Sequence, residues 1–215
     1  MEANIKLRAK EGDKVEDASA YRRLIGRLMY LTIFRPDITF AVTKLAQFMS
    51  DPRVSHHNAV HQILRYLKEA PNQGILLSSN SKFNLSIYTD ADWESCLDTR
   101  SSTEAEYRAM ANAACEIVWL TNLLKFMDVT IESAMLFCDN VSAIQLASNP
   151  TFHERSKHVE IDCYFIREKV ETGFIKLVHI PTKHQLADIL TKAISKPQFF
   201  FLMSKLGTYN LYAPT

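Results

Sequence analysis

Four acidic residues stand where apolar segments end or begin. Asp90 follows the alternating run Phe83-Asn84-Leu85-Ser86-Ile87-Tyr88-Thr89, with Asp92 two residues on. Glu106 lies near the start of a long helical pattern, Asp139 closes Ala134–Cys138, and Asp188 sits inside Leu186–Ala193. A carboxylate at the end of an apolar element costs desolvation unless water or a cation compensates it. Brought to one end of one sheet, Asp90, Glu106, Asp139 and Asp188 would repel each other, so such a cluster makes sense only with cations present. Hard oxygen ligands suit Mg²⁺ or Mn²⁺, and two such ions about 4 Å apart support in-line displacement at a phosphodiester. Each acid also has a plain structural alternative. Asp90 can begin a turn, Asp139 can cap a helix, Asp188 can be a solvated helix acid, and Glu106 a first-turn acid facing the helix dipole.

Other constellations carry less. His56, His57 and His61 are spaced like metal ligands, but His57 and His61 at i, i+4 fit a polar helix face equally well, and no Cys or acid completes a site. There is no GxSxG, P-loop or GxGxxG. Lys157-His158 and Lys183-His184 are basic spots near the acidic end, where a histidine can shuttle protons, contact phosphate or merely face solvent.

The elements that must position these residues follow from periodicity. Leu24, Ile25, Leu28, Met29 and Leu31 predict a first helix from Asp17, broken by Arg35-Pro36. Two further helices, Ile38 to Met49 and one through Ala59, Ile63, Leu64 and Leu67, complete a small helical module behind a frayed lead-in, residues 1–14. Gly74 to Ser79 reads as a strand, Asn80-Ser81 as a turn, and residues 83–89 as a second strand paired antiparallel with the first. The stripe Met110, Ala113, Ile117, Leu120, Leu124 predicts a buried face on a helix over 103–126. Extended back by four, it takes in Glu106 and turns Glu104 toward solvent. A strand to Cys138, a helix from Val141, a helix near Val159 to Val170 closed by Gly173, and a strand Phe174 to Ile180 follow. A helix through Leu186–Ala193 and a last one, Pro197 to Leu206, complete the chain. Strands alternating with helices imply an α/β fold with a largely parallel sheet, whose ligands sit beyond the carboxyl ends of the strands.

Composition sets outer bounds. The chain has 215 residues, 47% hydrophobic and 23% charged, as an ordinary globular protein does. No apolar run approaches the ~20 residues of a membrane span, and Met-Glu-Ala-Asn opens no secretory segment, so the expected setting is cytoplasmic or nuclear with no membrane partner. Four scattered cysteines without a CxxC agree with reduced thiols. Residues 1–80 hold 12 Lys/Arg against 8 Asp/Glu and residues 81–215 hold 13 against 16, a mild basic front before an acidic rear.

Several motifs resemble a known family. Tyr88-Thr89-Asp90-Ala91-Asp92-Trp93, Ser101-Ser102-Thr103-Glu104-Ala105-Glu106-Tyr107-Arg108-Ala109, Cys138-Asp139-Asn140 and Lys183-His184-Gln185-Leu186-Ala187-Asp188-Ile189-Leu190-Thr191-Lys192 closely resemble the ribonuclease H region of copia-type LTR-retrotransposon Pol polyproteins. Tyr21-Arg22-Arg23-Leu24-Ile25-Gly26, Arg35-Pro36-Asp37-Ile38 and Arg65-Tyr66-Leu67-Lys68 resemble the segment after reverse transcriptase in the same polyproteins. The resemblance covers nearly the whole chain. It implies cleavage of RNA in RNA–DNA hybrids with two Mg²⁺ or Mn²⁺ ions held by Asp90, Glu106, Asp139 and Asp188. His184 lies close to the family's mobile histidine region.

Two departures qualify that expectation. The paired-aspartate polymerase box is absent, so no polymerase activity is expected. Only fifteen residues separate Asp90 from Glu106, too few for the two antiparallel strands that a ribonuclease H fold places there. This reads as an internal deletion joining Asp98-Thr99-Arg100 to Ser101-Ser102. The expected architecture is therefore a helical connection module (1–73), a ribonuclease H-like mixed sheet of about four strands lacking the second–third strand hairpin (74–195), and a C-terminal helix and tail (196–215). The expected function is metal-dependent hybrid cleavage, weakened or lost. The alternative is an inactive remnant that binds nucleic acid or another partner.

Overall fold

The computed structural model describes residues 7–9, 11–79, 84–91, 102–148 and 160–210. The fold is α/β, in two compact units: Met1–Ser78 with Asp188–Thr215, and Ser79–Ala187. Sequence alone divides the chain after 73 and after 195.

The first unit opens with α1 (Ala18–Leu31), started by Asp17, whose carboxylate accepts the Ala20 N–H at 2.8 Å. A 3-10 turn at Pro36–Ile38 leads into α2 (Thr39–Ala46), shorter than its sequence pattern, and α3 (Val54–Glu69) follows. Their apolar faces meet in one core around Tyr21, Ile25, Val42, Leu45, Val60 and Ile63. Tyr21 is fully buried; its hydroxyl donates to Leu45 O at 2.8 Å, and burial pushes its pKa up to about 12. A second buried knot is ionic. Arg35 grips Asp37 with Nε and Nη2, donates to Ala70 O, and Tyr66 Oη donates to Asp37 Oδ2 at 2.7 Å. Every partner of that buried charge pair is thus hydrogen-bonded, the condition under which such a pair is tolerated.

Two expectations for this unit are corrected. The end of the lead-in, residues 13–15, is tied down where fraying was expected: Val15 N–H donates to Pro52 O, Val54 N–H donates to Asp13 O, and Lys14 bridges Arg53. Backbone pairing to the start of α3 outweighs the polar composition of that stretch. Among the described residues, the strand β1 (Gln73–Ile75) does not pair with Leu85–Tyr88.

The second unit is built on β2 (Leu85–Tyr88), α4 (Ser102–Phe126), β3 (Ala134–Cys138), α5 (Val141–Ser148), α6 (Glu160–Glu171) and β4 (Ile175–His179). Its sheet has the order β2-β3-β4, parallel throughout. Leu85 to Tyr88 register with Ala134 to Phe137, and Ala134 to Cys138 register with Ile175 to His179. The predicted stripe of α4 is buried at Met110, Ala113 and Ile117, packed with Leu136, Ala143, Ile166 and Ile175, and half-buried at Leu120 and Leu124. Gly173 ends α6 with φ 71°, a conformation natural to glycine at a helix C-terminus.

The chain then returns to the first unit with α7 (Asp188–Thr191), α8 (Lys196–Lys205) and β5 (Thr208–Asn210). The expected helix over Leu186–Ala193 is thus a single turn, since the Gln185 side chain takes the Ala187 N–H. The strand β5 had no forecast. It pairs antiparallel with β1, Gln73 opposite Asn210 and Ile75 opposite Thr208, and Leu76 N–H donates to Gly207 O. The expected antiparallel pairing of Gly74–Ser79 with 83–89 is therefore replaced, and the mixed sheet of about four strands becomes, among the described residues, a parallel sheet of three and an antiparallel pair. Residues 80–83, which contain the expected turn, and the Asp98–Ser101 junction lie outside the described residues.

Truncation after Gly207 removes β5 and is expected to release β1 alone. Hydrogen exchange at Gly74 and Ile75 should accelerate about tenfold or more, the worth of one net hydrogen bond, while Leu85–Tyr88 keep their rates. Unchanged exchange in β1 would contradict the pairing.

Candidate metal centre

The sheet brings acids to one end through strand register. Tyr88 stands opposite Phe137, and the pairing continues as Thr89 N–H donates to Phe137 O at 3.0 Å. Two steps further along both strands come Asp90 and Asp139, at the carboxyl ends of neighbouring parallel strands. Both acids are half-buried. Among the described residues, the group of ligand atoms that lie close together does not include Asp90.

Asp139 does not cap α5. That role belongs to Asn140, whose Oδ1 accepts the Ala143 N–H at 3.0 Å. Asp139 is thereby left to face the end of the sheet. Glu106 comes from α4, as the extended stripe predicts: it is the fifth residue of the helix, beyond the first turn, and only 9% exposed. The ligand atoms of Glu106, Cys138 and Asp139 all lie within 4.8 Å of one another. Glu106 has a polar interaction of its own, and its Oε2 is a buried acceptor that receives no hydrogen bond. The Glu104 side chain lies outside the described residues, as do Asp92 and the Lys157-His158 pair.

Cys138 was not singled out from sequence. Its side chain is fully buried, its Sγ accepts the Asn140 N–H at 3.4 Å, and burial, aided by the Glu106 and Asp139 charges, pushes the thiol up to about 11. At neutral pH the sulfur is a neutral thiol, so the donors suited to an ion are the carboxylate oxygens of Glu106 and Asp139. Such a donor set fits a hard divalent cation.

The loop after β4 closes the same end of this unit. Ile180 N–H donates to Cys138 O, and a 3-10 turn over Thr182–His184 places Lys183 and His184 in exposed positions. Gln185, a second residue that sequence reasoning passed over, is fully buried; its Nε2 donates to Thr89 O at 2.8 Å and its Oε1 accepts the Ala187 N–H. It clamps the loop to the backbone beside Asp90. Its signal was in plain view, in Lys183-His184-Gln185, but periodicity says nothing about a single side chain spanning 96 positions.

Asp188 belongs to the first unit. It is 5% exposed, and Lys192, one turn on, donates to its Oδ1 at 2.8 Å. It is a buried, paired acid, where a solvated one was the alternative. The histidine triplet also resolves. His56 is buried, accepts the Arg53 N–H at Nδ1, donates from Nε2 to Arg8 O and stacks on Phe48. Burial lowers its pKa. His57 and His61 pack edge to face.

The raised Cys138 thiol has a measurable consequence. The folded value near 11 exceeds the ordinary 9.0, so the neutral thiol favours the folded state below pH 9 and that contribution is lost as pH rises through about 11. At pH 8, iodoacetamide followed by peptide mass spectrometry should label exposed Cys115 and leave Cys138 unmodified until the chain is denatured. Equal labelling of both would contradict the buried thiol.

The chain is 39% identical over 235 residues to the retrovirus-related Pol polyprotein from transposon RE1 of Arabidopsis thaliana, covering 96% of this chain. It is 37% identical over 239 residues to the corresponding polyprotein from transposon RE2 of the same plant, covering 98%. Against that from transposon TNT 1-94 of Nicotiana tabacum it is 30% identical over 218 residues, covering 88%. The match spans 16% of the length of each of these relatives. No protein-family model and no solved structure matches the chain. Over nearly its whole length, therefore, the chain is homologous to a segment of the retrovirus-related Pol polyproteins of transposons.

Proposed function

We propose that the chain is a copia-type Pol fragment whose second unit is a ribonuclease H-like domain shortened by one hairpin, with an inherited activity of cleaving RNA in RNA–DNA hybrids. The observation that supports this reading is the grouping of the Glu106, Cys138 and Asp139 ligand atoms within 4.8 Å of one another, beyond the end of β3, whose parallel neighbour β2 leads into Asp90. Glu106, Asp139 and Asp90 would hold the divalent ions, Mg²⁺ or Mn²⁺, which when bound would activate water and neutralise charge at the scissile phosphate. Gln185 would keep the His184 loop against the strand end, within reach of a phosphate or a leaving oxygen. Removing the second–third strand hairpin from the family's sheet would leave an all-parallel remainder with the order seen for β2, β3 and β4.

A second reading, an inactive module that only binds nucleic acid, is favoured by Asp188. The ammonium of Lys192 already neutralises this acid, a role that a metal ion would otherwise fill. Weak or absent turnover would follow if Asp188 is needed.

A labelled RNA–DNA hybrid separates the two. The first reading expects cleavage that requires Mg²⁺ or Mn²⁺ and falls by two orders of magnitude or more, about 3 kcal/mol of barrier, in Asp90→Asn and Asp139→Asn. Hybrid binding without metal-dependent cleavage would support the second reading. Cleavage that survives both substitutions would overturn the assignment of the site.

A further inference from the structure

Helix α4 carries two apolar faces, and the sheet uses only one. About 160° around from the Met110–Leu124 stripe, a second stripe runs through Cys115, Trp119, Asn122 and Phe126, flanked by Leu123, with Met127 just past the helix end. Trp119 is 61% exposed, Phe126 88%, Met127 64% and Leu123 41%. Isolated apolar side chains on a surface are ordinary, but three large ones on one helix face, with a fourth just past its end, mark an interaction surface.

The spacing of this stripe identifies its partner. Cys115, Trp119, Asn122 and Phe126 are separated by four, three and four residues, a series that reads the same in both directions. It also alternates small, large, small, large. An antiparallel copy aligned about a two-fold axis between residues 120 and 121 sets Phe126 opposite Cys115 of the copy, and Trp119 opposite Asn122. Each large ring then meets a small side chain, twice over. A parallel copy would instead force Trp119 onto Trp119 and Phe126 onto Phe126, leaving gaps at Cys115 and Asn122. We infer that the chain self-associates through this face of α4, as an antiparallel helix pair with closed two-fold symmetry.

The area is sufficient. A covered aromatic side chain buries about 150–250 Å², so the exposed parts of Trp119, Leu123 and Phe126, with exposed Cys115 and Asn122 between them, supply roughly 500 Å² per copy, about 1,000 Å² in all. That reaches the lower bound for a specific interface, so a concentration-dependent dimer in the micromolar range is expected.

Sedimentation velocity on the full chain tests this. The wild type should shift from monomer to dimer with loading concentration. Trp119→Glu and Phe126→Glu should each weaken association by ~30-fold or more, the effect of losing a central aromatic anchor. Both positions face away from the core, so thermal melting by circular dichroism should barely change. A second measurement does not depend on those variants. In a chain with Cys96→Ser, Cys163→Ser and Phe126→Cys, mild oxidation should link position 126 to Cys115 of the other copy. A wild type that stays monomeric at all concentrations would overturn the inference, as would a dimer indifferent to both glutamates. A predominant Cys115–Cys115 link would overturn it too, because it requires the parallel arrangement.

Discussion

The second unit depends on the double pairing of β3. This strand gives its carbonyls and amides to β2 on one side and β4 on the other, both parallel. Ala134, Leu136 and Cys138 point into the core, while Met135 and Phe137 alternate away. A shift of one residue would expose the core set and carry Asp139 to the wrong position, so the packing of Leu136 against Met110 and Ile117 also fixes where the acid ends up. Core packing and the placement of Asp139 thus have one cause. Parallel strands need long crossovers, and α4 and the α5–α6 pair supply both the crossovers and the cover.

The features that proved legible in sequence were those set by short-range repetition. The four-residue rhythm of α4 placed Glu106 on the buried side, and the alternation through Leu85 and Ile87 found β2. The Pro36 break and Gly173 marked boundaries because each restricts one backbone angle. What could not be read were choices of partner. Gly74 and Ile75 look like half of a hairpin with the next segment, yet they pair with Tyr209 and Thr208, some 135 residues away. Loop closure grows only slowly costlier with length, so a distant strand with better side-chain packing can displace a near one joined by a weak turn.

The acidic end shows the same division. Asp139 and Asn140 are adjacent and of similar shape, and sequence alone leaves open which of them caps α5. The structure assigns the cap to Asn140 by a 3.0 Å bond, and the neutral amide does there what the carboxylate could also have done. Cys138 and Gln185 escaped notice for a different reason. Their importance comes from what surrounds them, a fully buried thiol between two acids and a fully buried amide bonded to Thr89 O, and neither environment leaves a pattern in neighbouring residues. Asp188 has Lys192 four positions on, a helix spacing legible in principle, although pairing at that spacing is common on surfaces and did not foretell a buried acid.

The pairing of β1 with β5 makes the first unit discontinuous along the chain: its two parts are separated by the whole of Ser79–Ala187. During synthesis, the whole of the second unit is made before α7, α8 and β5 exist. The α1–α3 module must therefore wait with β1 unpaired while another unit folds between it and its closing strand, and chains fold N-terminal parts first where they can. Ile75, Leu76 and Leu77, exposed even in the finished structure, are the residues presented to the cell during that interval. In this protein the vulnerable period is set by the position of three residues near the C-terminus, Thr208–Asn210, and its length by the rate at which the ribosome reaches them.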